Sequence, residues 1–513
     1  MIPTRHAAFG GLCLLAAFSS PPVLAQANNA DIPRMESASC PTQALKDLSA
    51  ECYTFYGQEN WDNPNGNIVE LPVGVIPPES SETAGSDESS SNNAPVAFFP
   101  GGPGHSALDK QEYLEQLRKD IGNRTLVVFD PRGFNHATPT LECPDYADVS
   151  PYHNIVHTPA LTDSLDPMQR MKHITDEVSA CYQKLESEGV EVAQYTESAT
   201  SRDLEEIRQL LDYEAINIYG ASTGSGTALS YLRYYPDSVK SAILGWPWYT
   251  ALRNRAPLDE FYTLKGKFTD VLAMCAADSE ACREQVPAPF LAIDRTRRAL
   301  DDKPYTAEVS TESGKEKTLY FDGAAFLDTL YLMLPQYYAM LPRIVSEVPE
   351  GDYSSLHEFF MIDQYQPDTK PGGYAMGAFL AQACNDMGTN RPTPQDSMAA
   401  VQQEPAIIGF EPIWLCAWWG TDGDVPPEHS DPVESDTPAL AIHGQMDPCC
   451  GTRWSDELAN TMPNVQAIEL QGLGHSPVSE CRSTVVNAFL NDPSAKIDKS
   501  CRTEVALDDW VLE

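Results

Sequence analysis

The sequence predicts an α/β fold with a mostly parallel sheet and an inserted, mainly helical segment. Short apolar runs predict strands at residues 95–99, 125–129, 215–219, 241–244, 438–443 and 465–470, with further early strands between residues 60 and 77. Helical patterns separate most of these runs, as expected for a parallel sheet covered on both faces. Residues 247–430 are instead rich in helix formers and aromatic residues, with few strand patterns. They therefore predict an insertion into the sheet domain.

Length and composition fit this interpretation. The chain has 513 residues, of which 42% are hydrophobic and 21% are charged. These values predict a globular protein with one large domain, or a core domain with an insertion, and exclude disorder for most of the chain. The chain has 34 Lys and Arg residues and 74 Asp and Glu residues, which gives a net charge of −40. Such a surface repels phosphate backbones, so nucleic acid is not an expected partner.

The N-terminus predicts export. Arg5 and His6 precede an apolar stretch at residues 7–18, and small residues before Gln26 suit a cleavage site. Residues 1–25 are therefore predicted to be a signal peptide. No later run approaches 18 apolar residues, so no membrane span is expected and the mature protein should be periplasmic or extracellular.

Twelve of the 13 cysteines lie beyond this leader, an even number that suits an oxidising compartment. Ten form neighbouring pairs along the chain: 40 with 52, 143 with 181, 275 with 282, 384 with 416, and 481 with 501. Cys449 and Cys450 remain. Sequence proximity does not establish connectivity, and metal binding is the alternative for clustered cysteines. The chain has no C-x-x-C pair and no histidine cluster at ligand spacing, so neither a metal nor an organic cofactor is expected.

A candidate nucleophile follows the strand at residues 215–219. There a Gly-Ala-Ser-Thr-Gly turn places Ser222 between this strand and a helical segment. The G-x-S-x-G pattern alone is weak, and the alternative is a tight turn with an unreactive serine. The strand before it and the helix after it are typical of a nucleophile elbow.

A base and an acid should follow such a serine along the chain. Asp447 and His475 each come shortly after a predicted strand, so both should reach the same sheet edge as Ser222. His475 is the candidate base and Asp447 the residue that orients it. The alternatives are a surface-loop histidine and a turn or helix-cap aspartate. His443 is interpreted as a strand-end histidine with satisfied hydrogen bonds.

Backbone donors for an oxyanion are also predicted. One is the N–H of Thr223, directly after the serine, and the other is in the glycine turn at Gly102. This turn lacks the Lys-Ser/Thr pair of a phosphate-binding loop, which makes phosphate binding the weaker alternative.

Together these motifs resemble the α/β-hydrolase serine aminopeptidases, that is, the prolyl and tripeptidyl aminopeptidase family. The resemblance rests on Pro-Gly-Gly-Pro-Gly at residues 100–104, Asp-Pro-Arg-Gly at 130–133, the serine turn, Gly-Gln-Met-Asp at 444–447 and Gly474-His475. It implies an α/β-hydrolase core at residues 26–246 and 431–513, a helical cap domain at 247–430, and Ser222, Asp447 and His475 as a catalytic triad. The implied substrates are peptides with a free N-terminus.

Substrate-binding residues are predicted within this resemblance. A substrate ammonium calls for a carboxylate, and Asp386 is the candidate; the alternative is a solvated acid. Trp246 and Trp248 stand where the family often has an acidic residue, and they either line an apolar pocket or serve packing.

The sequence is also compatible with two other functions. A carboxylesterase would use the same triad on an ester, and a catalytically silent binding protein would use the same fold. A disulfide between Cys449 and Cys450 would stiffen the loop of Asp447, which leads to the hypothesis of a redox effect on activity.

Overall fold

The computed structural model describes residues 32–78, 93–102, 104, 106–149, 167–248, 257–310, 316–361, 375–404, 407, 413–476 and 478–512. The predicted signal peptide lies outside these residues.

Eleven strands are described, nine in one sheet and two in a separate hairpin. They are Arg34–Ser37 (β1), Glu51–Gln58 (β2), Ile68–Ile76 (β3), Val96–Phe99 (β4), Leu126–Phe129 (β5), Ile216–Ala221 (β6), Val239–Gly245 (β7), Tyr305–Ser310 (β8), Glu316–Phe321 (β9), Ala439–Gly444 (β10) and Val465–Leu470 (β11).

The large sheet has the order β1-β2-β3-β5-β4-β6-β7-β10-β11. Strands β5, β4, β6, β7, β10 and β11 are parallel to one another. Strands β1, β2 and β3 extend one side of this sheet in antiparallel pairs. The predicted α/β fold with a mostly parallel sheet is confirmed.

The α-helices of the described residues are Gln43–Asp47 (α1), Gln111–Ile121 (α2), Pro144–Val149 (α3), Pro167–Ser187 (α4), Glu197–Leu210 (α5), Gly224–Tyr234 (α6), Pro257–Asp278 (α7), Glu280–Gln285 (α8), Pro289–Asp302 (α9), Gly323–Tyr337 (α10), Leu341–Glu347 (α11), Ser354–Met361 (α12), Met376–Asn385 (α13), Pro394–Gln403 (α14), Arg453–Leu458 (α15) and Glu480–Asn491 (α16). None of the helices in this part of the chain is both long and apolar enough to cross a bilayer.

Helices cover both faces of the parallel sheet. Every residue of β4, β5, β6 and β10 is buried. Successive strand residues point to opposite faces, so uniform burial requires cover on both sides. At β4, the ring of Phe98 contacts Tyr113 of α2, while the neighbouring Phe99 contacts Tyr231 of α6. Helices α2 and α6 therefore lie on opposite faces of the sheet.

Four strands outside the parallel part of the sheet have no clear pattern in the sequence: β1, β2, β8 and β9. The early strand signal near residue 70 corresponds to β3, whereas β1 and β2 before it were not predicted. The four residues of β1 are polar apart from Met35 and are half-buried or exposed, so they carry no alternating signal. The hairpin of β8 and β9 lies inside the segment predicted to be mainly helical. Helices occupy most of the described residues of that segment, and its boundaries as a cap domain stay a prediction.

The described residues form six disulfides. They join 40 with 52, 143 with 181, 275 with 282, 384 with 416, 449 with 450, and 481 with 501. The neighbouring pairs suggested by the sequence are therefore the bonded ones, and Cys449 bonds to Cys450.

A buried ion pair fixes the loop that follows β5. Arg132 donates from Nε and Nη2 to the two carboxylate oxygens of Asp203 on α5, at 2.8 and 2.7 Å. It also donates to the backbone carbonyls of Gln58, Glu59 and Gln194. Both charged side chains are almost fully buried. One guanidinium thus joins the ends of β2 and β5 to α5.

Breaking this pair should destabilise the protein strongly. Arg132→Met leaves Asp203 buried without its cation, so the free energy of unfolding should fall by about 3–5 kcal/mol. The double variant Arg132→Met with Asp203→Leu removes both charges and should lose less than the two single variants added together. Denaturant unfolding of all four proteins measures the coupling. Additive losses would show that the two charges do not depend on each other.

Candidate active site

Ser222 lies in a strained turn between β6 and α6. Its φ angle is +53°, in the left-handed region that side chains other than glycine rarely adopt. Its amide donates to the carbonyl of Gly245 at the end of β7, and its carbonyl accepts from the amides of Ser225 and Trp248. The neighbouring strand therefore holds the serine at the carboxyl edge of the sheet, half-buried and directly before the N-terminus of α6. This position favours a developing negative charge.

Asp447 and His475 meet at the same edge. They follow β10 and β11, which are adjacent parallel strands. Nδ1 of His475 lies 2.9 Å from Oδ2 of Asp447. Because a carboxylate accepts, Nδ1 carries the proton in this contact and Nε2 is left as the basic nitrogen. The structure thus brings together two of the three residues predicted for proton transfer.

The Asp447 carboxylate is held in its charged form. Burial acts to raise the pKa of the Asp447 carboxyl, but the neighbouring His475 and the amides of Cys449 and Cys450 outweigh it and lower this pKa below its ordinary value. Those two amides donate to Oδ1 at 3.0 and 3.1 Å. The disulfide-bonded pair thereby supplies two hydrogen bonds that keep the carboxylate ready to orient the imidazole.

Neighbouring groups fix the same loop. His443 contacts the carbonyl of Cys450 through Nδ1 and the hydroxyl of Ser455 through Nε2, at 2.7 and 2.6 Å. Burial lowers the pKa of His443. With both ring nitrogens engaged, His443 has the satisfied strand-end arrangement that the sequence suggested.

Ser222 follows β6 and His475 follows β11. Strands β7 and β10 lie between these two strands in the sheet. Among the hydrogen bonds of the described residues, none joins Ser222 to His475. Catalytic hydrogen bonds are often long without substrate and tighten when it binds. Trp246 lies between the two elements: it follows Gly245, to which Ser222 donates, and its ring contacts the imidazole of His475. The triad stays a prediction whose three members share one sheet edge.

The glycine turn after β4 packs directly on the serine turn. A Cβ atom on Gly101 would lie 2.6 Å from the carbonyl oxygen of Ala221 and 2.8 Å from Cβ of Ser222. Only a glycine permits this approach. The predicted oxyanion donors Gly102 and Thr223 are therefore adjacent to the serine, and in the described part of the chain neither amide donates to a backbone carbonyl. A role for both N–H groups in binding a substrate oxygen stays a prediction.

Asp130 belongs to the Asp-Pro-Arg-Gly motif and contacts the segment that follows the glycine turn. Its carboxylate accepts from the hydroxyl of Ser106 at 2.9 Å and from the amide of His136 at 3.1 Å. Burial raises the pKa of Asp130 to about 6. An aspartate directly after a buried strand, next to the strand of the glycine turn, is the signal that could have revealed it.

Asp386, the predicted ammonium ligand, lies in a buried cluster. Its Oδ1 accepts from the amide of Glu197 at 2.8 Å and contacts Nε2 of His429 at 3.0 Å. The residue follows α13, whose other end, at Ala375, contacts Gly104 of the glycine turn. At 1.5 Å per residue, that helix separates Asp386 from Ala375 by roughly 16 Å. Its described contacts are internal, and ammonium binding stays a prediction.

Trp246 and Trp248, the predicted pocket residues, are both buried. The amide of Trp248 donates to Ser222, and Trp246 packs beside His475. Both residues therefore touch the candidate triad, and a role as pocket walls stays a prediction.

Two groups of described residues place potential metal ligands together. One consists of Asp447, Cys449, Cys450 and His475, and the other of Glu197, Asp386 and His429. The cysteines of the first group are bonded to each other, so neither offers a thiolate. In the second group, Asp386 accepts a hydrogen bond from the amide of Glu197 and contacts His429.

Comparison with known proteins agrees with this architecture. Residues 94–262 match the alpha/beta hydrolase fold family, and the chain has the α/β-hydrolase fold. Residues 409–501, which contain Asp447 and His475, match a second family described as TAP-like protein. The predicted resemblance is thereby confirmed at both ends of the core.

The relatives include a serine protease and a carboxylesterase. Serine protease Hip1 of Mycobacterium tuberculosis is 22% identical over 84% of this chain and 83% of the relative. Carboxylesterase B of the same organism is 25% identical over 86% of this chain and 84% of the relative. Among solved structures, proline iminopeptidase of Mycobacterium smegmatis aligns with 83% of this chain and 96% of its own, at 15% identity and a TM-score of 0.35.

Gly101→Ala should inactivate the site without unfolding the core. The added methyl group must push the glycine turn away from Ser222, and displacements of about 1 Å can cost about a hundredfold in rate. The measurement is the labelling rate of Ser222 by a fluorophosphonate probe. Gly266→Ala is the matched control, because Gly266 is exposed within α7 and a Cβ there meets nothing within 4 Å. It should label at the wild-type rate; equal rates for both variants would refute the close packing.

Asp130→Asn should change how stability depends on pH. Because the folded-state pKa of Asp130 is raised above its unfolded value, the native state binds the extra proton between about pH 4 and pH 6. The contribution of Asp130 to the stability of the wild type is therefore greatest below pH 4 and is lost as the pH rises to 6. Relative to wild type, Asp130→Asn should gain about 2 kcal/mol in free energy of unfolding between pH 4 and pH 7. Denaturant unfolding at both pH values measures this difference, and a constant difference would contradict it.

Proposed function

We propose that this chain is an exported serine exopeptidase that hydrolyses peptide bonds near free N-termini, as an aminopeptidase or tripeptidyl aminopeptidase. The observation that carries the proposal is the placement of the strained Ser222 turn at the sheet edge where His475 pairs with Asp447. A reactive serine, a base and an orienting acid in this chain order match the α/β-hydrolase arrangement.

The proposed reaction proceeds through an acyl-enzyme. Nε2 of His475 takes the proton of the Ser222 hydroxyl as its oxygen attacks the substrate carbonyl, and the charged Asp447 stabilises the resulting imidazolium. The N–H groups of Gly102 and Thr223 receive the negative oxygen of the tetrahedral intermediate. The imidazolium then protonates the departing amine. Water, activated by the same base, releases the acyl group from Ser222.

A peptide substrate and export rest on separate support. The match of residues 409–501 to TAP-like proteins and the serine protease among the relatives favour peptides. Six disulfides are typical of proteins that leave a reducing compartment. Recognition of the substrate ammonium by Asp386 remains part of the proposal, since an aminopeptidase needs a carboxylate there.

Carboxylesterase activity is the second candidate. It is favoured by the carboxylesterase among the relatives, whose identity to this chain is 25%. The acyl chemistry is the same for both substrates, so the residues over the site decide between them.

The deciding experiment compares wild type with Ser222→Ala on a peptide library and on short acyl esters. Wild type should trim residues or tripeptides from free N-termini and should prefer aminoacyl or peptidyl arylamides to esters. Ser222→Ala should lose this activity by at least about a thousandfold, because nothing else in the mechanism attacks the carbonyl. Mass spectrometry of the digests identifies the released peptides.

N-terminally acetylated copies of the same peptides serve as the substrate control, since they lack the ammonium group. Equal cleavage of free and acetylated peptides would contradict the exopeptidase proposal. Ester hydrolysis without peptide trimming would establish the second candidate. Wild type that does not label with a fluorophosphonate would indicate a binding protein.

A further inference from the structure

Strained backbone clusters at the candidate site. Five described residues other than glycine have a positive φ, and three of them are Ser222, Trp246 and Ser476. Ser222 is the candidate nucleophile and Ser476 directly follows the candidate base. Trp246, with φ +40°, has no role in the predicted triad. A bulky residue in this region is an outlier that the surrounding structure must enforce, and such outliers concentrate at functional sites.

The backbone of Trp246 is fixed between the two halves of the site. Its amide donates to the carbonyl of Ile442 on β10 at 2.6 Å. The preceding residue, Gly245, accepts the amide of Ser222. The residue therefore links the strand end that holds the serine to the strand that leads to Asp447.

The side chain of Trp246 points away from solvent and against the imidazole. It is only 2% exposed, and its ring centroid lies 6.1 Å from that of His475, with 67° between the planes. This is an edge-to-face contact of the kind that aromatic rings prefer. Asp447 holds the imidazole at Nδ1, so the indole supplies a second contact that restricts how the ring tilts.

The indole is itself held by a buried cation. The guanidinium carbon of Arg482, on α16, lies 5.6 Å from the centroid of the Trp246 ring and over its face. Arg482 pairs with Asp120 of α2 at 2.8 Å, and both side chains are fully buried. Asp120 also accepts from Gln116 and Ser483. Contacts thus run without interruption from Asp120 through Arg482 and Trp246 to His475.

We propose that Trp246 is a positioning residue for His475, and that Arg482, anchored by Asp120, locks the indole in the orientation this requires. The proposal rests on the proposed function, because it assigns Trp246 to the orientation of the base in that reaction. It differs from the pocket role predicted from the sequence, in which Trp246 would contact substrate.

The two roles predict different kinetics. A positioning residue affects the step in which His475 takes the serine proton, so its loss lowers kcat, whereas a pocket wall affects substrate affinity and raises KM. Trp246→Leu should lower kcat on a peptidyl arylamide by roughly ten- to a hundredfold and change KM less than about threefold. Labelling by a small fluorophosphonate should slow by the same factor as kcat. Trp246→Phe keeps a ring beside the imidazole and should recover a large part of the rate.

The control for general loss of packing is Trp414→Leu. Trp414 is a fully buried tryptophan in the segment between α14 and β10, and its ring contacts Trp418. Its replacement should lower stability while leaving kcat and the labelling rate of folded protein unchanged.

A second variant tests whether Arg482 and Asp120 hold the indole of Trp246 in place. Arg482→Met with Asp120→Leu replaces the buried ion pair by apolar side chains of similar size, a change that folded proteins often tolerate. It frees the indole, so kcat should fall severalfold with KM unchanged. A folded double variant with wild-type kcat would overturn the role of Arg482.

Raised KM with unchanged kcat and unchanged labelling in Trp246→Leu would overturn the role of Trp246 and leave the proposed function intact. Wild type that neither labels at Ser222 nor hydrolyses any substrate would overturn the proposed function itself. The two failures are therefore separable.

Discussion

Close backbone packing at the carboxyl edge of the sheet positions the turns that carry Ser222 and His475. The glycine turn after β4 rests on the serine turn without room for a Cβ at Gly101. The loop of His475 rests in the same way on the end of β10, where a Cβ at Gly444 would lie 2.1 Å from the carbonyl oxygen of Gly474. Because densely packed backbone yields little, these loops are placed by excluded volume rather than by flexible side chains.

Buried charged side chains hold the elements next to these turns. Arg132 with Asp203 anchors the loop after β5, and Asp130 ties it to the glycine turn through Ser106. On the other side, Asp120 and Arg482 join α2 to α16 under Trp246. A buried charge is tolerable only with a partner, so each of these groups is stable in one arrangement and costly in others. This property favours a single geometry for the site even where the pairs add little net stability.

The sequence revealed what local patterns encode and missed what tertiary contacts decide. Apolar runs between helices predicted β4 to β7, β10 and β11, because these strands are more apolar than the segments around them; β4, β5, β6 and β10 are buried throughout. The polar β1 and the hairpin of β8 and β9 lack this contrast. At the site, chain order and strand ends were enough to propose Ser222, Asp447 and His475. The surroundings of Asp386 and the orientation of Trp246 depend on partners such as His429 and Arg482, which lie about 40 and more than 200 residues away in the sequence. No local pattern indicates such contacts.

Backbone strain is concentrated at the candidate site. Ser222, Trp246 and Ser476 each hold a backbone conformation that costs free energy, on the order of 1–3 kcal/mol apiece. Such a cost persists only where the neighbouring structure enforces it, and here those neighbours are the close-packed turns and the buried ion pairs. Preorganisation of this kind means that the backbone at these three residues is in place before substrate binds, since the protein has met the cost on folding. The binding energy of the substrate is then left for recognition, and the chemistry of the residues above the edge determines which acyl group and which leaving group the site accepts.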